Sequence, residues 1–115
     1  MKRLGIYFFF DKDGIVDKYV DYVLEDLTKH VDKLIVVCNG QLNERGRKTF
    51  EKFTGNIIVR ENKGFDVWAY KTAIDSEGWN KLIEYDEIIL MNYTIMGPVY
   101  PLKEMFDIMD KRLEL

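Results

Sequence analysis

The stretch Arg60-Glu61-Asn62-Lys63-Gly64-Phe65-Asp66 holds the residue types best suited to binding chemistry in this chain. Gly64 permits a tight turn and close approach of a ligand, and a helix opening at Asp66 offers unpaired N–H groups to an anion. Arg60 and Lys63 add positive charge, and Asn62 both donates and accepts hydrogen bonds. A phosphate-bearing ligand suits that combination. The plainer alternative is an ordinary strand-to-helix connection, with Asp66 as the helix cap and Lys63 in solvent. Neither G-x-G-x-x-G nor G-x-x-x-x-G-K-[ST] occurs, so a dinucleotide turn or a P-loop is not supported.

Two further loops carry polar groups. In Phe10-Asp11-Lys12-Asp13-Gly14 two carboxylates stand two apart after an apolar run. Asp11 and Asp13 could bind magnesium and supply a nucleophile, as in a small phosphatase. The alternative is a polar turn in which Asp13 or Asp17 caps the following helix. Met91-Asn92-Tyr93-Thr94 is the other loop, with Gly97-Pro98 beyond it. Asn92 and Thr94 could face a ligand there. Several other chemistries lack parts. With one histidine (His30) and one cysteine (Cys38), no zinc site of usual composition can be built. Ser76, the only serine, stands near a helix end and cannot complete a triad. Cys38 closes an apolar run and reads as a buried thiol. His30 reads as the surface end of the first helix, Asp86 and Glu87 as solvated surface, and Trp68 and Trp79 as core or interface.

These loops need a scaffold that holds them together. Leu4–Phe10, Leu34–Cys38, Ile57–Val59 and Ile88–Met91 are apolar runs without polar alternation, as strands covered on both faces are. Helical spacing separates them. Val20, Val23, Leu24, Leu27 and Val31 form one stripe, Phe50 and Phe53 a weaker one ending at Gly55, and Val67, Tyr70, Ala73 and Ile74 a third closed by Gly78. A last helix is expected from Pro101 through Leu113, with Leu102, Met105, Phe106 and Met109 on one face. The expectation is an α/β, Rossmann-like parallel sheet of about four strands with helices on both faces. Ligands of such sheets lie at the carboxyl ends of the strands. The loops Asp11–Val16, Asn39–Asn43, Arg60–Asp66 and Asn92–Tyr100 are therefore the candidate site.

Residues 1–115 make one domain. The hydrophobic fraction is 47% and the net charge is −3, which gives no electrostatic footprint for nucleic acid. The apolar start after Lys2-Arg3 is too short for a transmembrane segment and lacks the parts of a signal peptide. One cysteine suits a reducing compartment, so a cytoplasmic protein is expected.

Taken together, Phe10–Asp17, Ile35–Gly40, Arg60–Asp66 with Ala69-Tyr70-Lys71, and Ile88–Asn92 with Gly97-Pro98 resemble the rhamnan synthesis protein F family. The Glu-Asn-Lys-Gly-Phe-Asp stretch followed by Ala-Tyr-Lys is the most specific part. The resemblance implies the nucleotide-sugar-binding half of a GT-A-like glycosyltransferase, acting in synthesis of rhamnose-containing cell-wall polysaccharide. A nucleoside-diphosphate sugar such as dTDP-rhamnose is the implied ligand. It also implies roles for single residues: Asn39 at the position that reads the nucleobase, and Asn62, Lys63, Gly64 and Asp66 lining the nucleotide. Asn92 and Thr94 fall where a D-x-D motif would hold Mg or Mn. This chain has Asn-Tyr-Thr there, and neutral side chains bind a hard dication poorly. The acceptor-binding half expected after that motif is absent, so the chain reads as a fragment or truncated form of a longer transferase. Self-association as a homo-oligomer, or docking to a catalytic half, is expected. The alternatives are a non-catalytic interaction module and the magnesium phosphatase.

Overall fold

The computed structural model describes residues 2–61, 66–92 and 99–101. Four parallel strands form the sheet body: β1 (Arg3–Asp11), β2 (Lys33–Gly40), β3 (Ile57–Arg60) and β4 (Glu87–Asn92). Between them run α1 (Tyr19–Thr28), α2 (Glu44–Glu51), α3 (Asp66–Glu77) and the single turn α4 (Trp79–Leu82). A short β5 (Val99–Pro101) pairs antiparallel with β4, giving the order β3-β2-β1-β4-β5. This is the expected Rossmann-like architecture.

Leu4 to Phe9 of β1 are all buried, because that strand has a neighbour on each side and helices on both faces. The two faces have separate cores. Leu4, Ile6 and Phe8 pack with Ile35 and Val37 beneath α3, whose Ala69, Tyr70, Ala73 and Ile74 are buried. Tyr7 and Phe9 pack with Val36 and Cys38 beneath α1 and α2, where Val20, Leu24, Leu27 and Phe50 are buried. The first predicted stripe and Tyr70, Ala73 and Ile74 of the third therefore mark real buried faces, and Phe50 anchors the second; the Val67 side chain lies outside the described residues.

Several expectations are corrected. Pro101, expected to open a helix, ends β5, and Val99 and Tyr100 belong to that strand and not to a loop. Three residues containing a proline carry no alternation signal, and an edge position tolerates the missing N–H. The predicted stripe on Leu102, Met105, Phe106, Met109 and Leu113 lies outside the described residues. Neither Asp13 nor Asp17 caps α1: the N-cap is Lys18, with no side-chain cap bond. Helix α1 ends at Thr28, so His30 stands past its end, exposed. The last residue of α2 is Glu51, before Gly55. Gly78, at φ +87°, does close α3. Trp68 is exposed on α3 and is not part of the core.

The entry edge of the sheet is tied down by charge. Asp32 and Asp86 accept the backbone N–H groups of Arg3 and Lys2 at 2.7 and 2.8 Å, and Arg3 pairs with Glu87 at 2.8 Å. Asp86 and Glu87 thus anchor the start of β1 as well as meeting solvent. Lys33 reaches the buried Glu77 carboxylate at 2.7 Å.

Candidate functional site

Because β1 to β4 are parallel, each strand ends at the same rim. Register fixes the order along it: Arg60 lies opposite Asn39, Asn39 opposite Phe10, and Asp11 opposite Gly40. Asn92, the last residue of β4, is level with Phe8. The ends of β3 and β4 are separated by two strands, roughly 14 Å at about 4.8 Å per strand. Sequence reasoning placed Asp11, Asn39, Arg60 and Asn92 at one edge, and they are there. Asp66 is the first residue of α3. Asn62, Lys63, Gly64 and Thr94 lie outside the described residues.

Among the described side chains at these positions, those of Asn39 and Arg60 are in direct contact. Arg60 Nη1 donates to Asn39 Oδ1 at 3.1 Å. Asn39 is 1% exposed, an unusual depth for a polar side chain, and the bond satisfies its oxygen. A neutral amide therefore orients the guanidinium without cancelling its charge. No carboxylate pairs with Arg60 among the described residues. An arginine held in place with donors to spare is suited to a phosphate or carboxylate.

The first loop is built differently. Asp11 Oδ2 accepts the N–H groups of Asp13 and Ile15, both at 2.9 Å. Those bonds, Ile15 first, hold the Asp11 carboxyl below its ordinary range. Gly14, at φ +72°, lies so close to the next loop that a Cβ would stand 2.8 Å from the Gln41 carbonyl carbon. Its carbonyl accepts the Asn43 N–H at 3.0 Å, and Asn43 caps α2 through Gly46 N–H. The β1–α1 and β2–α2 loops are thereby locked into one floor. Asp11, expected as a ligand contact or a nucleophile, is the side chain that closes its own turn.

A divalent cation does not fit the described residues. No group of three His, Cys, Asp or Glu side chains among them could hold one. Where the resemblance led to the expectation of a D-x-D motif, the sequence has the neutral Asn92 and Thr94. Cys38 is fully buried, and burial pushes its thiol up to about 12, which removes it as a nucleophile. Sequence reasoning took Asp13 only as a magnesium ligand and Ile15 only as part of the Asp11–Val16 loop, and gave Asp17 and Tyr19 no binding role, yet all four border an open cleft beside the end of β1. The signal available was Ile15 and Tyr19, apolar positions four apart where the loop enters α1.

No helix among the described residues is long and apolar enough to cross a membrane. A family model described as rhamnan synthesis protein F matches residues 34–115. The matched stretch spans β2 onward and leaves out the Asp11–Asp17 loop. Neither the curated proteins nor the solved structures compared with the chain gave a match.

Proposed function

The chain belongs to the rhamnan synthesis protein F family and so has a role in rhamnan synthesis, and from that premise we propose that its carboxyl rim binds a nucleoside-diphosphate sugar. The observation that carries this reading is the Asn39–Arg60 pair, a pre-oriented guanidinium at the end of β3 that pairs with no carboxylate among the described residues. Arg60 meets the diphosphate and Asn39 holds it in place. The Asn62-Lys63-Gly64 segment, one residue further along the sequence, adds a second cation and a glycine without a side chain to block close approach. The donor, dTDP-rhamnose or a related nucleotide sugar, binds without a resident Mg or Mn, because the rim supplies the positive charge itself. In this reading the chain is the donor-binding part of a glycosyltransferase, and cytoplasmic placement suits a nucleotide-sugar ligand.

Calorimetry with dTDP, UDP and their sugars, each with and without manganese, tests the reading. Binding in the micromolar range that manganese leaves unchanged supports it. Affinities weaker than about 1 mM for every nucleotide, a binding free energy smaller than about 4 kcal/mol, would remove it.

One specific feature favours a second reading, a non-catalytic interaction module. Asn92-Tyr93-Thr94 carries no carboxylate where a transferase of this layout would hold its metal. That module would bind no nucleotide in the same calorimetry, and it would need a protein partner for any function at the rim.

A further inference from the structure

A cleft of about 290 Å³ opens where the first loop turns into α1. It borders the end of β1, the strand at which the sheet order reverses: β2 and β3 follow on one side and β4 on the other. In open α/β sheets that reversal point is where ligands settle. The cleft differs in character from the Arg60 end of the rim. Asp11, Asp13 and Asp17 border it beside Phe10, Ile15 and Tyr19. No lysine or arginine among the described residues pairs with any of the three carboxylates. Asp11 accepts two N–H groups of its own turn and Asp17 Oδ1 accepts the Lys18 N–H, while the Asp13 and Asp17 side chains stay exposed to solvent.

Such a lining selects against a diphosphate, whose charges the carboxylates repel. It favours a ligand that donates several hydrogen bonds and carries an apolar face. Sugar hydroxyls donate to carboxylates, and the C–H face of a pyranose packs on apolar and aromatic surface. Ile15 and Tyr19 keep 56% and 47% of their surface exposed to supply that contact. The volume falls just under the roughly 300–1,000 Å³ of small-molecule pockets, which admits one sugar ring and not a whole nucleotide sugar.

We propose that this cleft is a saccharide subsite that takes one neutral sugar ring, hydrogen-bonded to Asp13 and Asp17 and packed on Ile15 and Tyr19. The proposal rests on reading the rim as a sugar-transfer site, and it divides that rim into a cationic phosphate region at the β3 end and an acidic sugar region at the central β1. Protein-observed NMR of the full chain tests it, with L-rhamnose and UDP titrated separately. The sugar is expected to shift the Ile15 and Tyr19 amides saturably, and UDP to shift the Asn39 and Arg60 amides and leave the cleft unmoved. Asp13→Ala and Asp17→Ala should each weaken the sugar about tenfold or more while UDP shifts persist, which shows that the variants remain folded. No sugar response at the cleft up to about 0.1 M, or a response that both variants retain, overturns the subsite. UDP shifts centred on Ile15 and Tyr19 overturn it as well. A chain that binds the sugar but no nucleotide anywhere keeps the subsite and removes the donor reading.

Discussion

Replacing Arg60 by methionine separates what this side chain does for the fold from what it does for a ligand. Asn39 is 1% exposed, and its Oδ1 takes its hydrogen bond from Arg60 at 3.1 Å. Methionine keeps most of the aliphatic volume and removes the donor. Leaving a buried acceptor unsatisfied costs about 1–3 kcal/mol, and the low end applies here because the arginine itself is only partly buried and water can follow. The second effect is on binding. A charge-assisted bond from guanidinium to phosphate contributes about 1.5–3 kcal/mol, so the affinity for UDP should fall roughly tenfold to a hundredfold. Arg60→Lys keeps a charge but loses the planar fork, and should recover only part of that affinity. Urea denaturation gives the first quantity and calorimetry the second. An Arg60→Met protein with unchanged UDP affinity would refute the assignment of Arg60 to the diphosphate. One whose stability stays within about 0.3 kcal/mol of the parent would refute the account of the buried amide.

Further predictions address the scaffold. Lys33→Met leaves the Glu77 carboxylate, 2% exposed, without its cation at the entry edge, and should cost about 3 kcal/mol by urea denaturation, largely restored by adding Glu77→Gln; a loss under about 1 kcal/mol would contradict this. Since that pair is at the opposite edge from Arg60, nucleotide affinity should not change in the folded protein. The Cys38 thiol is raised by burial from 9.0 to about 12, so the fold favours its neutral form. That contribution is complete below pH 9.0 and disappears as the pH climbs through about 12, and a Cys38→Val chain should lose stability less steeply over that window. Asp11 is shifted the other way, by the Ile15 and Asp13 N–H groups, so its contribution is present above pH 3.8 and is lost as the pH falls through its lower folded value. The Ile15 amide resonance should report that titration with a midpoint below 3.8, and a midpoint at or above it would show that the turn bonds do not form.

How legible each feature was in the sequence follows from how local its cause is. The runs Leu4–Phe10 and Ile88–Met91 announce buried parallel strands because both of their faces are covered, and the structure buries all of them but the half-buried Phe10. The α3 stripe is legible for the same reason, and Gly78 stops the helix through its own backbone conformation. Parallel strands then place Asp11, Asn39, Arg60 and Asn92 at one edge by topology alone. What could not be read are the features set by partners distant in sequence. The donor to Asn39 comes from a residue 21 positions on, and Gly14 is required by the Gln41 backbone of another loop. Asp17 had the residue type of a cap, but its Oδ1 accepts the adjacent Lys18 N–H and α1 begins uncapped. Strand β5 depends wholly on the β4 edge that it covers.

The two edges of the sheet use charge in opposite ways, and the contrast bears on where ligands act. At the entry edge, Lys2, Arg3 and Lys33 meet Glu84, Glu87 and Glu77, so the charges there close on one another. At the carboxyl rim two described places differ. Arg60 bonds to a neutral amide, and three aspartates gather over one seven-residue loop with no pairing cation among the described residues. Like charges held together in a small domain cost stability, and local rules broken without a structural return mark functional sites. Unequal signs at the β3 end and at the central β1 of one rim also give a ligand a direction. A molecule with a negative and a hydroxyl-rich end can satisfy both only when its phosphates lie over β3 and its sugar toward β1. Exchanging the two signs, with Arg60→Glu and Asp17→Lys together, should therefore abolish nucleotide-sugar binding while leaving the Asp11 turn and both cores in place.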